Sequence, residues 1–470
     1  MSATERGGGQ AQPRPTRMRR VRARLARLVR TPHPAQVGVL AFAVAVLVVT
    51  ALLMLPVAAE SGQTTTFRQA LFTATSAVCV TGLAVVDTPS HWSGFGEVVI
   101  LVGIQAGGFG IMTLASLLGL AASRRLGLRT RLLTSWETKA EGLGDVRRVL
   151  RGVARTTFLV EGTVALALTA RFWLSYDQTP GRAIYSGVFH AVSSFNNAGF
   201  SLYSDNLMRF TSDPFVCLPI AAAVILGGLG FPVLFELRRE LTSPRQWSLH
   251  TKTTLLTYAL LLLGGAVVIG AFEWTNPGTL GPLSVPGKLL ASFFQGGVQP
   301  RTAGFNSVDI AAMQPESLLV QDVLMFIGGG SASTAGGIKV TTFMVLFFAI
   351  VAETRGDPHV DALGREIRSP VLRQALTVAL LGVALVVTGT LVLLAVSGLP
   401  LDQVLYETVS AFATVGLSTG ITADLPSTGQ YVLIVLMFLG RTGPVTLATA
   451  LVLRERRRLF RLPEERMLVG

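Results

Sequence analysis

Long apolar stretches alternate with short polar and basic ones along most of the chain. Several of them carry almost no charge and approach or reach the roughly 20 residues that span a bilayer core; they are Val37–Ala58, Leu159–Ala170, Leu255–Ala271 and Ala379–Val396. One arrangement recurs four times: a long span, a short helix that ends in small residues with one glycine, and a second long span. The pattern predicts an all-α integral membrane protein of four repeated units and eight spans.

The bounds of the predicted elements follow from this repeat. In the first unit the opening span, short helix and closing span lie near Val37–Ala58, Phe67–Val78 and Glu97–Ala121, and in the second near Arg155–Leu174, Ala183–Phe195 and Pro214–Leu237. In the third unit they lie near Thr254–Phe272, Gly287–Val298 and Leu318–Ala349, and in the fourth near Arg373–Val396, Leu401–Ala413 and Tyr431–Leu453. The chain then divides into a basic arm (1–36), a first repeat (37–122), a loop and second repeat (123–238), a third repeat (239–353), a fourth repeat (354–454) and a tail (455–470).

The short helices end in similar four-letter segments. These read VTGL at Val80–Leu83, NAGF at Asn197–Phe200, TAGF at Thr302–Phe305 and TVGL at Thr414–Leu417, and their glycines are 117, 105 and 112 residues apart. Non-helical backbone at membrane depth is tolerated only where it is buried in protein or lines a watery cavity. We therefore expect four loops around a pseudo-four-fold central pore; a duplicated scaffold without a pore is the alternative.

These segments suit the passage of an alkali cation. Backbone carbonyl oxygens can replace the hydration shell of such an ion without trapping it, and glycine admits the backbone angles that aim carbonyls at an axis. The predicted filter therefore consists of three residues from each loop: Val80, Thr81 and Gly82; Asn197, Ala198 and Gly199; Thr302, Ala303 and Gly304; and Thr414, Val415 and Gly416.

Each closing span also carries a glycine cluster. The four clusters are Gly107–Gly110, Gly227–Gly230, Gly328–Ser331 and Gly440–Gly443, and the first glycine of each falls 24 to 28 residues after the filter glycine. Glycines within membrane spans usually allow close helix packing. Their equivalent positions predict one packing register shared by all four units.

Composition and charge agree with a membrane protein. The mean hydropathy is +0.54 and 14% of residues are charged, against roughly 25% in soluble domains. Of the 40 Lys and Arg residues, 32 lie in the two termini and in alternate loops, which is the positive-inside signature. We expect both termini to be cytoplasmic and no nucleic acid partner. Cys79 and Cys217 predict neither a disulfide framework nor a metal site.

The loop sequences TSAVCVTGL, SSFNNAGF, QPRTAGFN and SAFATVGLS, together with GGGSASTAGGIK, resemble the Trk/Ktr/HKT superfamily of potassium transporters over Val37–Arg458, most closely the Ktr-type membrane subunits of the KtrB branch. The resemblance implies K⁺ uptake across the cell membrane, with K⁺ bound at the filter. Some Na⁺-preferring relatives carry serine at the first glycine, so Gly82 favours K⁺. Strict four-fold chemistry is not expected, because Cys79, Asn196, Arg301 and Ala413 occupy equivalent positions.

Gly328–Lys339 interrupts the third closing span with the sequence GGGSASTAGGIK, a poor helix former. We expect an intramembrane loop that blocks the pore below the filter, as the resemblance implies; a packing kink is the alternative, and a phosphate loop fails on spacing. The predicted gate residues are Gly328, Gly329, Gly330, Ser331, Ser333, Thr334, Gly336, Gly337, Lys339 and Arg441. An intramembrane charge such as Arg441 is a functional hypothesis by default. It either faces the pore below the filter, where it bonds this loop or raises an electrostatic barrier to cations, or it pairs with helix-end carbonyls near the cytoplasmic face.

Other charged residues leave alternatives open. Arg301 is expected to turn away from the pore axis and brace the third loop. Glu161 and Asp322 either face the pore, make helix–helix hydrogen bonds or lie near the membrane interface. Acids follow each filter glycine, and they form either an outer cation-concentrating ring or ordinary loop positions; they are Asp87, Asp205, Asp309 and Asp424.

Competing functions and partners complete the prediction. An ion-coupled transporter usually shows inverted repeats, whereas these four units share one orientation, and five scattered histidines do not make an enzyme site. No covalent cofactor is expected; K⁺ is the permeant ion, with Na⁺ as a candidate activator or an alternative permeant ion. The resemblance implies a homodimer on a cytoplasmic ring of KtrA-like nucleotide-binding subunits, so that nucleotide acts only through the partner. The basic loops suit docking to that ring or contact with lipid.

Overall fold

A computed structural model describes residues 34–125 and 143–453. Most of the predicted basic arm, the stretch 126–142 and the tail from residue 454 lie outside the described residues. Within the described part the fold is helical, except for one hairpin of β1 (Asp361–Ala362) and β2 (Arg365–Glu366). The predicted all-α class therefore holds for the bulk of the chain.

The first two predicted units contain long helices that flank a short one. The helices of unit 1 are α1 (Pro34–Leu53), α2 (Phe67–Val78), α3 (Thr88–His91) and α4 (Gly94–Arg125), and those of unit 2 are α5 (Leu143–Ser175), α6 (Pro180–Phe195), α7 (Pro214–Leu229) and α8 (Phe231–Glu240). Single 3₁₀ turns lie at Pro56–Ala58, Met208–Phe210 and Pro244–Gln246. The Thr66 hydroxyl caps α2 by accepting from the Gln69 N–H, and Pro180 opens α6.

The last two units follow the same order. Unit 3 contains α9 (Leu249–Glu273), α10 (Val285–Ala291), a π-helix (Ser292–Val298), a 3₁₀ turn (Ile310–Ala312), α11 (Pro315–Phe326) and α12 (Val340–Arg355), and unit 4 contains α13 (Ser369–Ser397), α14 (Leu401–Ala413) and α15 (Ser427–Leu453). The short helices α2 and α14 have the bounds that the sequence predicts.

Four helices in the described ranges are long and apolar enough to cross a membrane: Gly94–Ile111, Val149–Ser175, Leu249–Glu273 and Ser369–Ser397. A fifth span results if the bent pair α7 and α8 counts as one. The eight-span count therefore stays a prediction, since the other candidate helices are shorter, interrupted or less apolar by this measure.

Two helices that the sequence predicts to be regular and continuous are not so in the structure. The closing span near Pro214–Leu237 bends by 100° between α7 and α8, at Gly230, whose φ of 92° favours glycine and whose Cβ would lie 2.4 Å from the Ser331 oxygen. The short helix near Gly287–Val298 begins as α10 and ends as a π-helix. Periodicity does not separate a π-helix from an α-helix over one turn, which is why the sequence missed it.

The closing glycines share a register in three units, not in four. A Cβ at Gly107, Gly227 or Gly440 would lie 1.9, 2.0 or 1.7 Å from a carbonyl oxygen near the end of its unit's short helix, on Val78, Phe195 and Phe412 respectively. A Cβ at Gly328 would instead lie 2.0 Å from the Gly336 oxygen. The prediction of one register is wrong for unit 3 because Gly328 belongs to a loop there.

Candidate functional site

The four glycine loops have the same backbone conformation. Their glycines have positive φ values of 96°, 69°, 75° and 98° in chain order. The residue two places before each glycine is also left-handed, with φ of 56° at Val80, 59° at Asn197, 69° at Thr302 and 49° at Thr414. Non-glycine residues rarely adopt this region, least of all β-branched ones. Sequence reasoning found the glycines but missed these positions, because only Asn197 favours the conformation.

The loops meet each other in a closed circle. A Cβ built at Gly82 would lie 2.3 Å from the Ala198 oxygen, one at Gly199 2.8 Å from the Ala303 oxygen, and one at Gly304 2.2 Å from the Val415 oxygen. The circle closes at Gly416, whose Cβ would lie 2.1 Å from the Thr81 oxygen. Each glycine therefore faces the carbonyl that precedes the glycine of the next loop, and no side chain fits at these four positions.

Loops 1, 2 and 4 are held by a serine six residues before their glycine. The Ser76 and Ser410 hydroxyls accept from the N–H groups of Gly82 and Gly416, at 3.0 and 3.1 Å. In loop 2 the Ser193 hydroxyl donates instead to the Phe200 carbonyl, at 2.8 Å. A short side chain thus fixes each loop directly to its own helix.

Loop 3 is held by an amide. Val298 occupies the position that serine has in the other loops, and the next residue, Gln299, makes the bonds instead. The Gln299 backbone carbonyl accepts from the Ala303 N–H at 3.0 Å, and its side-chain oxygen accepts from the Phe305 N–H at 2.9 Å. The π-helix adds a residue to the turn before the loop. This extra residue explains why a longer side chain, displaced by one position, makes the bonds.

The predicted intramembrane loop, Gly328–Lys339, does interrupt the closing helix of unit 3, between α11 and α12. It contacts loops 2 and 3 of the circle. The Thr334 hydroxyl bonds to the Phe195 oxygen at 3.2 Å and to Asn197 Oδ1 at 3.0 Å. The Gly336 N–H donates to Thr302 Oγ1 at 3.1 Å.

Glycines let this loop run against α7 and fold on itself. The Gly330 N–H donates to the Gly228 oxygen at 2.8 Å, and a Cβ at Gly329 or Gly330 would collide with backbone of α7. Within the loop, the Ser333 hydroxyl donates to the Gly330 oxygen at 2.6 Å, and Gly337 has a φ of 64°. The Ser331 hydroxyl bonds to Thr341 at 3.0 Å. The segment is therefore an ordered loop in this conformation and not a simple helix kink.

Two basic side chains bond to the intramembrane loop. Arg441 Nη1 donates to the Thr334 oxygen at 2.5 Å, and Lys339 Nζ donates to the Ala335 oxygen at 2.6 Å. Of the two expectations for Arg441, the structure therefore places it against the loop. Arg301 is fully buried and donates to the carbonyls of Ile327, at 2.6 Å, and Leu324. It turns behind loop 3, as expected of a brace, and bonds the end of α11 directly before the intramembrane loop.

The acidic residues that the sequence singled out have different kinds of partner in the structure. Glu161 makes helix–helix hydrogen bonds with Gln105 and Asn196. Asp205 pairs with Arg209 at 2.8 Å, and Asp309 caps the 3₁₀ turn that follows it. These two acids have structural partners, which favours ordinary loop positions over an outer ring.

His190 and the two cysteines do not form a reactive site. His190 is buried and bonds to the Ser186 carbonyl at 2.8 Å and to the Ser201 hydroxyl at 3.1 Å. Both cysteines are free and buried. Among the residues that the structure describes, no group of three or more His, Cys, Asp and Glu could hold a metal ion.

Comparisons with known proteins show which family the chain matches. The model of the TrkH family, described as a cation transport protein, matches residues 26–461. The chain is 39% identical to Ktr system potassium uptake protein B of Bacillus subtilis, over 93% of this chain and 97% of that one. It is 41% identical to the protein of the same name from Vibrio alginolyticus, over 89% and 91%.

Two further matches extend the comparison. Potassium/sodium uptake protein NtpJ of Enterococcus hirae is 35% identical, over 96% of this chain and 99% of that one. The crystal structure of the potassium transporter TrkH from Vibrio parahaemolyticus superposes with a TM-score of 0.69 at 18% identity, over 91% of this chain and 85% of that one. The structural match shows a shared fold. The relatives are named as transport proteins, in agreement with the expectation that the chain is not an enzyme.

Proposed function

The chain belongs to the TrkH family of cation transport proteins, and we propose that it takes up K⁺ across the cytoplasmic membrane through a filter made of its four glycine loops. Relatives at about 40% identity are named potassium uptake proteins, which supports K⁺ as the ion. The expected architecture is four span–loop–span units around a pseudo-four-fold pore, divided at the boundaries predicted above.

The closed circle of glycines and carbonyls carries this proposal. Each loop brings the carbonyl of the residue before its glycine to the neighbouring loop: Thr81, Ala198, Ala303 and Val415. Rings of backbone carbonyls replace the hydration shell of a cation in selective pores. The three residues of each loop, ending at its glycine, would then bind K⁺ as the predicted filter does, and the Cβ distances explain why all four glycines are needed.

We assign the role of gate to the intramembrane loop with Arg441 and Lys339. The loop bonds to loops 2 and 3 of the circle, carries the cationic side chain of Lys339, and accepts a hydrogen bond from Arg441 of α15. A positive charge near a permeation path opposes cations. Opening would require Thr334 and Gly336 to leave their partners on the circle, so the present arrangement corresponds to the blocked state.

The remaining elements of the proposal concern the assembly. We expect a homodimer with both termini in the cytoplasm, bound to a KtrA-like ring that carries the nucleotide; relatives named as parts of a Ktr system support a partner component. The relative named a potassium/sodium uptake protein supports a second candidate, in which Na⁺ permeates or activates.

The deciding experiment is growth on limiting K⁺ of a bacterium that lacks its own K⁺ uptake systems and expresses this chain, with and without a KtrA-like partner. We expect rescue that depends on K⁺ and is lost when Gly82 or Gly304 is replaced. Dependence on the partner would support the Ktr-type assembly. Absence of growth with well-inserted protein, together with uptake of radiolabelled Na⁺, would contradict the K⁺ proposal and favour the Na⁺ candidate.

A further inference from the structure

A buried carboxylate lies directly behind loop 2. Glu161, on α5, is 5% exposed. Its Oε1 accepts from Asn196 Nδ2 at 3.1 Å, and its Oε2 accepts from Gln105 Nε2 at 3.4 Å. Asn196 Nδ2 also donates to Gln105 Oε1 at 2.8 Å. Two amides and one carboxylate therefore form a closed triangle that joins unit 1, which supplies Gln105, to unit 2.

Asn196 is the member of this triangle that belongs to loop 2. It follows the last residue of α6 and precedes Asn197, and its amide also donates to the Val192 oxygen at 3.0 Å. A Cβ at Gly108 would lie 1.9 Å from Asn196 Oδ1. The side chain is thus enclosed by α4, α5 and its own helix.

The position of Asn196 determines the position of the next two residues. Asn197 bonds to the Arg301 oxygen of loop 3, at 3.3 Å, and to Thr334. Ala198 presents the carbonyl that lies against Gly82. A shift of Asn196 therefore moves both the second loop's carbonyl and its contact with the third loop.

The three equivalent residues lack such a partner. Cys79 and Ala413 have side chains that cannot form this triangle, and Arg301 bonds to carbonyl oxygens of α11 and its end. Loop 2 is therefore held, through Asn196, by a buried carboxyl group of its own unit and by Gln105 of unit 1, whereas Cys79 and Ala413 give loops 1 and 4 no such triangle.

We propose that Glu161 is a positioning residue for cation specificity, which acts through Asn196 to fix the carbonyls of loop 2. Selection between K⁺ and Na⁺ depends on the spacing and number of carbonyl dipoles around the ion. A buried carboxyl group bonded to two amides is a strong restraint, because breaking either hydrogen bond leaves a buried polar group without its partner. This inference rests on the proposed function of the four-loop filter.

The test compares the ratio of K⁺ to Na⁺ uptake in cells that contain equal amounts of membrane-inserted protein. Glu161→Gln keeps the shape but places an amide donor where a carboxyl oxygen now accepts, and we expect the ratio to fall about fivefold, the size expected from one buried hydrogen bond. Asn196→Ser should lower it similarly, and the two changes together should lower it no further than one alone. Thr163→Val is the matched control, since Thr163 lies on α5 and bonds only to its own helix, at the Leu159 oxygen.

A second pair of variants separates positioning from simple helix packing. Gln105→Glu combined with Glu161→Gln places the carboxylate on the opposite helix and restores the set of one acid and two amides, so we expect most of the lost ratio to return. A parent chain that takes up no K⁺ overturns the function itself. A parent that takes up K⁺, with an unchanged ratio in both Glu161→Gln and Asn196→Ser, overturns only the role of Glu161. If Glu161→Gln does not insert, Asn196→Ser alone decides by the same ratio.

Discussion

Unit 3 differs from the other three units at every level, although all four contribute to one circle of glycines. In units 1, 2 and 4 the short helix is α-helical to its end and the closing glycine packs on it. In unit 3 the short helix ends in a π-turn, an amide replaces the serine, and the closing helix breaks into the intramembrane loop. The backbone of the loop at Gly304 nevertheless repeats that of the other loops.

This contrast suggests a division between selection and blocking. The features that repeat are those that a symmetrical carbonyl ring requires: positive φ at two positions and a neighbour's carbonyl against each glycine. Of the features that do not repeat, the π-turn and the Gln299 amide hold loop 3 itself, whereas Arg301 and Thr302 connect loop 3 to the end of α11 and to the intramembrane loop. One unit can therefore carry the proposed gate while its glycine loop keeps the positive φ values and the neighbour contact of the others.

The first prediction tests whether loop 3 is as essential to the circle as the regular loops. Gly304→Ala places a methyl group 2.2 Å from the Val415 oxygen at a φ of 75°, and we expect K⁺ uptake to fall to background. Gly82→Ala should have the same effect, since its Cβ would lie 2.3 Å from the Ala198 oxygen. Rubidium tracer uptake measures both.

The matched control for that pair is Gly264→Ala on α9, where nothing lies within 4 Å of the added Cβ. It should leave uptake and insertion unchanged. Uptake by Gly304→Ala equal to that of Gly264→Ala would mean that loop 3 does not take part in the filter, and the equivalence of the four loops would fail.

The second prediction tests the feature that only unit 3 has. Deletion of Ser331–Gly336 removes the bonds of Thr334 and Gly336 to the circle. We expect cation flux to rise in the absence of any partner subunit, because nothing then blocks the path below the loops. Flux into liposomes that contain the purified chain measures this effect.

A milder variant controls for damage by the deletion. Thr334→Val keeps the shape of the side chain and removes its hydrogen bonds, each worth about 1 kcal/mol, so flux should rise less than in the deletion. If both variants show the parent's flux or less, the loop is a packing element and unit 3 is not the gated unit.

How far the sequence predicted this molecule depends on the unit. In units 1 and 4 the sequence predicted the bounds of α2 and α14 and the positions of the loop glycines, because these helices keep a 3.6-residue period up to the loop. In unit 3 it located the interruption from its Gly and Ser content. It missed the π-helix and the bend at Gly230, since both depend on contacts between distant segments, such as Gly230 against Ser331.

The sequence predicted the functional site only in part for the same reason, which is that contacts between distant segments leave no local pattern. The sequence indicated the glycines because they recur in four similar segments, and Arg441 because a charged residue is unusual at membrane depth. It left Glu161 open and did not connect it with Gln105 and Asn196, because the triangle joins residues up to 91 positions apart. No local pattern in the sequence records such a contact.

The third prediction concerns the packing that unit 3 lacks. Gly440→Ala places a methyl group 1.7 Å from the Phe412 oxygen, and overpacking of this kind costs roughly 1–3 kcal/mol. We expect a lower thermal midpoint of the detergent-solubilised protein, because α15 must move away from α14. Gly162→Ala, with open space around the added Cβ, should not lower it. Equal midpoints for the two variants would show that close packing of the closing glycine is not what distinguishes unit 4 from unit 3.

The smallest effect concerns how the loops are braced. Ser76→Ala removes one hydrogen bond to the Gly82 N–H, and Ser410→Ala removes its counterpart at Gly416. Because the two bonds are alike, at 3.0 and 3.1 Å, both variants should lower the K⁺/Na⁺ uptake ratio by a similar factor of about fivefold.

Gln299→Ser extends this last prediction to unit 3. It supplies the residue type that units 1 and 4 use, but the hydroxyl is too short to reach the Phe305 N–H that the Gln299 side-chain oxygen now bonds at 2.9 Å. We therefore expect Gln299→Ser to lower the ratio as much as Gln299→Ala does. A K⁺/Na⁺ uptake ratio that falls in Gln299→Ala but not in Gln299→Ser would mean that a serine can brace loop 3 as it does the other loops. The π-helix would then serve the proposed gate and not the filter. If both variants lower the K⁺/Na⁺ uptake ratio equally, loop 3 needs the extra residue of the π-helix and the long amide side chain together. The two then hold loop 3 equivalent to its neighbours in spite of the different helix before it.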